Sequence, residues 1–257
     1  PKHIILYNAF GWEVPQMAHV PLILNPDKSK LSKRQGDVAT EDYLKKGYLK
    51  EALINFMALL GWNPGEGEEK EIFSLKELEE KFTIERVNSA GAVFNVEKLN
   101  WMNGEYIKNT EPEKLTELVI PYLNAGGIDT SDMEKTRRVV FAIRNYINKL
   151  DESVEQAKVY YSEVKLNDAH LEIVKSESSK QVFDLLVKKV EALTEITADN
   201  FKPVVSEVQK ETGIKGKNLF MPVRLALTGE EHGPELGMIA YVLGREEVMR
   251  RLKDVLA

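Results

Sequence analysis

The stretch Asp27-Lys28-Ser29-Lys30-Leu31-Ser32-Lys33-Arg34-Gln35-Gly36-Asp37 concentrates cations and hydroxyls. Lys30 and Lys33 stand three residues apart on either side of Ser32, and Gly36 permits backbone angles closed to other residues. A loop of this kind can close on a polyphosphate. Its ammonium groups would act as point charges, stabilising the negative charge that develops on a leaving pyrophosphate. Short basic runs are also common on solvated surfaces, so the residues alone leave both readings open. Other chemistries find less support. His3, His19, His170 and His232 are scattered without ligand partners at helical spacing, so no metal site is expected. The sequence has no Cys, which removes disulfides, thiol nucleophiles and thiolate ligands. It has no G-x-S-x-G, H-E-x-x-H or P-loop pattern.

The elements that must position this loop come next. Val20-Pro21-Leu22-Ile23-Leu24, an apolar run bounded by Pro and Asn, predicts a strand or a buried extended segment feeding the polar loop Asn25 to Lys30. Beyond about residue 40 the pattern turns helical. Ser74 with Glu77, Ser131 with Glu134 and Ser178 with Gln181 have capping-box spacing, and Thr110 with Pro112 and Glu113 marks another start. Apolar residues recur at helical spacing in Leu53, Phe56, Met57, Leu60; in Val139, Ile143, Tyr146, Ile147; and in Val182, Leu185, Leu186, Val190, Leu193. These are read as core stripes. Gly213 and Gly244 sit where helices could stop. Polar residues thicken over 161–180, suggesting a boundary. The expected fold is mainly α: a short mixed α/β segment over 1–45, then helical domains over 46–165 and 166–257.

Composition sets the class of protein and of partner. Of 257 residues, 43% are hydrophobic and 30% charged, as in soluble globular proteins. No apolar run approaches the roughly 20 residues that span a bilayer, and the N-terminus does not read as a signal peptide. A cytoplasmic location without membrane contact is expected. The net charge of −6 argues against general coating of nucleic acid, where Lys and Arg dominate affinity. Local basic stretches at 28–34 and 213–224, the latter with Lys215, Lys217 and Arg224 and no acids, remain compatible with one folded RNA.

Context then narrows the loop's meaning. Lys30-Leu31-Ser32-Lys33-Arg34 resembles the lysine–methionine–serine–lysine–serine signature of class I aminoacyl-tRNA synthetases, in the form glutamyl enzymes use. Gly11-Trp12-Glu13-Val14-Pro15 and Ala18-His19-Val20-Pro21 resemble the bacterial glutamyl approach to that loop. Ala52 to Trp62, Phe94 to Ile107, Phe220 to Gly229 and Gly233-Pro234-Glu235-Leu236 follow in the family's order. The resemblance spans essentially the whole chain.

It implies several roles. Lys30 and Lys33 would contact ATP phosphates, delivered with Mg2+, and Leu31, Ser32 and Arg34 would shape the loop. Two helical domains would bind tRNA(Glu), with tRNA(Gln) as a second candidate. Arg224 would contact the first anticodon base with Leu236 beside it; the alternative is a helix-surface ion pair. Lys215 and Lys217 would touch the RNA backbone, or simply be solvated. Arg144 and Tyr146 mark the position that separates strict from relaxed tRNA choice, although Tyr146 also belongs to an apolar stripe and is read as core. The family's first signature, His-x-Gly-His, is absent. The chain alone is therefore expected to be catalytically incompetent, since its lysines lack the groups that position ATP and glutamate; separately, a monomer is expected. The competing reading is a stand-alone, non-catalytic helical RNA-binding or scaffolding paralogue. A glutaminyl enzyme is disfavoured, because that group carries a β-barrel anticodon region.

Overall fold

The computed structural model describes residues 1–32, 39–65 and 67–256. It is mainly helical, and the described residues form two compact units.

The first unit comprises residues up to Asp42 together with Lys50–Leu99. Helix α1 (Lys2–Phe10) ends at Gly11, whose φ of 67° lets the chain turn through the left-handed region. Its apolar residues Ile5, Leu6 and Phe10 are exposed. The predicted apolar strand shortens to β1 (Ile23–Leu24), and Val20 and Leu22 are exposed rather than buried. After α2 (Thr40–Lys45), α3 (Lys50–Gly61) and α4 (Leu75–Lys81), strand β2 (Ala92–Val93) pairs with β1 in parallel. Two-residue strands do not extend a ladder far enough to cover their neighbours, which explains the exposure. Gly91 is required beside this pair: a Cβ there would lie 2.8 Å from Leu24 Cδ1. Buried Trp62, Phe73 and Leu78 form a small core, and Phe73 N donates to buried Asn55 Oδ1 at 2.8 Å.

Helix α4 starts as its sequence predicts. Ser74 Oγ accepts from Glu77 N, while Ser74 N donates to Glu77 Oε2 at 2.8 Å. Two other starts are corrected. The residue capping α7 (Met133–Ile143) is Asp132, accepting from Lys135 N, and not Ser131. Ser176, accepting from Ser179 N, caps α10 (Glu177–Glu191), which places Ser178 inside the helix. In each case a neighbouring Asp or Ser reaches the free amides first.

The second unit comprises Tyr43–Leu49 and the chain from Asn100. Helix α5 (Val96–Asn109) leads through α6 (Pro112–Ala125) and α7 to a 3-10 turn at Leu150–Glu152 and α8 (Ser153–Tyr161). Fully buried Asn103 ties this region together. It accepts from Leu49 N at 2.8 Å and donates to Asn148 O at 2.5 Å. There follow α9 (Asp168–Val174), α10, α11 (Phe201–Thr212), α12 (Lys217–Thr228) and α13 (Leu236–Asp254). Gly213 ends α11 with φ 72°, as expected, and Gly244 breaks α13 with φ 75° and ψ 167°. Val182, Phe183, Leu186 and Val190 of α10 meet a core that includes Phe201, Val208, Val223, Leu227, Val242 and Leu252.

Candidate RNA interface

The site is built on α12. Its first turn has no acid, and it begins after Gly216, whose φ of 61° is strained for any residue with a Cβ. Lys215 and Lys217 flank that glycine and are exposed. Cations are unfavourable beside the positive helix start, so the helix itself does not favour them there. Leu219, Val223 and Leu227 turn one face of α12 into the core. That phase leaves Phe220 and Arg224, four residues apart, on a less buried face.

Arg224 is half-buried, and its Nη1 is enclosed without a hydrogen-bond partner among the described residues. No carboxylate pairs with it there, which disfavours the surface ion pair. The loop after α12 runs close by: a Cβ on Gly233 would lie 3.6 Å from Nη1. Burial pulls the guanidinium's pKa down from its ordinary value, with the phenols of Tyr146 and Tyr160 acting in the opposite sense. Arg224 and Leu236 line one cavity of about 300 Å3, together with Phe201, Lys202, Phe220 and Glu235. The structure thus brings together two residues that the sequence places twelve apart. Lys202 gives no signal in the sequence; its place on α11 matters only once α11, α12 and α13 line one cavity.

Tyr146 is corrected. It is 46% exposed rather than core, because α7 stops at Ile143 and the helical phase ends with it. Val139, Ile143 and Ile147 of the same stripe are buried. Arg144 stacks its guanidinium 4.1 Å from the centroid of Phe141. Tyr146, although distant in sequence, lies within electrostatic reach of Arg224.

The lysine loop is partly described. Asn25 N donates to Ser29 O at 2.8 Å, Ser29 N to Asp27 Oδ1 at 2.8 Å, and Leu31 N to Ile23 O at 3.0 Å. This reversal holds Lys28 at φ 66° and leaves Lys30 exposed beside half-buried Leu31 and Ser32. The Ser29 hydrogen bonds hold the Asp27 carboxyl below its ordinary pKa. Lys33 and Arg34 lie outside the described residues. Among the described residues, no three His, Asp or Glu side chains converge as a metal site, and no helix is long and apolar enough to cross a membrane.

Comparison with known proteins agrees with this geometry. Residues 114–256 match the anticodon binding domain family, and residues 1–101 match the catalytic domain of class I tRNA synthetases (E and Q). Residues 114–256, which carry Arg224, thus belong to the anticodon binding domain family. A glutamate–tRNA ligase of Alkaliphilus metalliredigens is 43% identical over 99% of this chain and 53% of its own length. One from Clostridioides difficile is 42% identical with the same coverage. The crystal structure of a glutamate tRNA ligase from Elizabethkingia meningosepticum, in complex with its amino acid, superposes with a TM-score of 0.81. It has 27% identity, and the match covers 99% of this chain and 54% of that one. The chain belongs to the glutamate–tRNA ligase family, and spans about half the length of the relatives it matches.

Proposed function

We propose that this chain reads the anticodon of tRNA(Glu) for a glutamate–tRNA ligase. The complete reaction would join L-glutamate to tRNA(Glu) with conversion of ATP to AMP and pyrophosphate. The observation that carries the reading is the guanidinium of Arg224, partly buried without a carboxylate partner among the described residues, in a cavity shared with Leu236 and exposed Phe220. Unpaired bases are recognised by hydrogen bonds to their edges and by stacking on aromatic rings. Arg224 would supply the edge contact and Phe220 a stacking face, with Lys202, Lys215 and Lys217 as phosphate contacts. Tyr146 and Arg144 would meet a further base and bear on whether tRNA(Gln) is also accepted.

Lys30 and Lys33 would hold ATP phosphates in the complete reaction, with Leu31, Ser32 and Arg34 shaping their loop. Mg2+ would arrive on the nucleotide. Lacking a His-x-Gly-His element, the chain by itself would bind tRNA as a monomer without forming glutamyl-adenylate. The test is binding to tRNA(Glu) and to an anticodon-substituted version at one fixed salt concentration. Arg224→Ala should reduce discrimination at its base by about 1–3 kcal/mol. Equal affinity of the unaltered chain for both RNAs would refute anticodon reading, and loss of affinity without loss of discrimination would make Arg224 a phosphate contact.

A further inference from the structure

A second cavity, of about 490 Å3, lies in the helical unit where Gly244 breaks α13. Arg138, Arg245 and Tyr241 line it together with Glu134, Glu195 and Glu246. Two guanidiniums and three carboxylates thus share one lining, yet no ion pair joins them among the described residues. Glu134 and Arg138 even stand four apart on α7, in the order that ordinarily pairs. Arg138 is held by Tyr241 instead: Nη1 donates to the carbonyl oxygen at 3.4 Å, and the guanidinium lies 5.8 Å from the ring centroid. Arg245 Nη2 donates to Glu191 O at 2.8 Å. Both arginines are therefore anchored on backbone carbonyls, and the three glutamates are left exposed. Nε of each arginine is enclosed, so a ligand would meet the terminal nitrogens, which carry four of the five donors of a guanidinium.

This lining selects a class of ligand. A lone anion would meet three carboxylates, and a lone cation two guanidiniums. A neutral group that both accepts and donates suits both signs. A nucleobase with an exocyclic amine is such a group: its ring nitrogen or carbonyl accepts from arginine, and its amine donates to a carboxylate. The place favours RNA. Thr197 lines this cavity and Ala198 the one beside Arg224, and a Cβ on Gly237 would lie 3.1 Å from Ala198 O, so the start of α13 is seated on that segment. From Leu236 to Tyr241 the helix rises only roughly 8 Å, so one RNA strand can serve both cavities. We propose that the cavity at Arg138 and Arg245 takes a further unpaired base, one bearing an exocyclic amine, of the RNA whose anticodon base meets Arg224. The inference rests on the tRNA binding proposed above.

The test uses the double variant Glu195→Ala/Glu246→Ala. Both residues are exposed and neither carboxylate has a partner among the described residues, so the melting temperature should hold. Binding to an anticodon stem–loop of tRNA(Glu) is measured at one fixed salt concentration. If only long-range charge acted, removing two carboxylates would tighten the hold on a polyanion. The expected result has the opposite sign: binding about fivefold weaker, the loss of a hydrogen bond to a charged acceptor at an open site. Discrimination at the first anticodon base should be unchanged. Replacing each unpaired loop nucleotide by an abasic one should then find a position, other than that base, whose loss weakens the unaltered chain by the same factor and the double variant hardly at all. Equal or tighter binding by the double variant, or the absence of any such coupled position, overturns the proposal and leaves anticodon reading intact. If the unaltered chain does not discriminate the first anticodon base, anticodon reading falls, while a coupled position would still uphold this cavity as a base site.

Discussion

Arg251 offers the sharpest test of how the helices bearing the site are held. It is 4% exposed, on the last part of α13. Its Nη1 donates to Leu227 O at 2.5 Å and Val159 O at 3.2 Å, Nη2 to Ser162 O at 3.2 Å, and Nε to Glu247 Oε1 at 2.6 Å. The acceptors lie at the C-terminal ends of α8 and α12, where a helix leaves carbonyls without internal partners and favours a cation. Arg251→Leu removes the donors from these carbonyls, of which the one on Leu227 takes part in a buried hydrogen bond. Removing one side of a buried pair costs about 3–5 kcal/mol. Glu247 keeps Arg250, at 2.7 and 2.8 Å, so the lower end applies, about 3 kcal/mol. For a unit of this size that is a fall in Tm of roughly 6–12 °C. Thermal and urea unfolding followed by far-UV circular dichroism would measure it. Arg250→Leu, on the surface, should cost less than about 1 kcal/mol. If Arg251→Leu costs no more than Arg250→Leu, relief of the guanidinium's desolvation balances its hydrogen bonds, and the strut argument fails.

Three further outcomes are expected. The hydrogen bond from Arg250, with that from Arg251, holds the Glu247 carboxyl down to about 2 against an ordinary 4.5. A depressed folded pKa gives stability that is complete above the unfolded value and lost as pH falls through the folded one. Glu247→Gln should therefore flatten the loss of stability between about pH 4.5 and 2 in acid titrations followed by circular dichroism, and parallel curves would count against it. Gly47 has φ 87°, and a Cβ there would lie 2.5 Å from Leu150 N and 2.7 Å from Asp151 N. Gly47→Ala should cost at least about 2 kcal/mol in urea unfolding, and a shift under about 0.5 kcal/mol would show that the backbone gives way easily. Ser74→Ala should cost about 1 kcal/mol through its capping box, whereas Ser131→Ala and Ser178→Ala, which cap nothing, should change the unfolding midpoint little.

How far the sequence reached depended on the range of the forces involved. The helical character, the box at Ser74–Glu77 and the stop at Gly213 were legible, because capping and left-handed turns depend on residues within one helical turn. The caps at residues 132 and 176 were missed by one and two positions for the same reason: several polar side chains compete for the same amides, and only the backbone angles decide between them. The stripe Val139, Ile143 and Ile147 was read correctly as core. Tyr146 was not, since periodicity alone does not show that α7 ends at Ile143.

The family was also carried by the sequence, through ordered blocks from the lysine loop to Leu236, because side-chain chemistry at fixed spacing is a linear property. Only the tertiary structure decided what surrounds Arg224. The cavity with Leu236 and Lys202, the approach of Gly233, and the nearness of Tyr146 and Tyr160 join residues up to 78 positions apart. No local pattern encodes such neighbours. They follow from the packing of α10, α11 and α12 with α13, which also meets α7 and α8, where burial selects which faces meet.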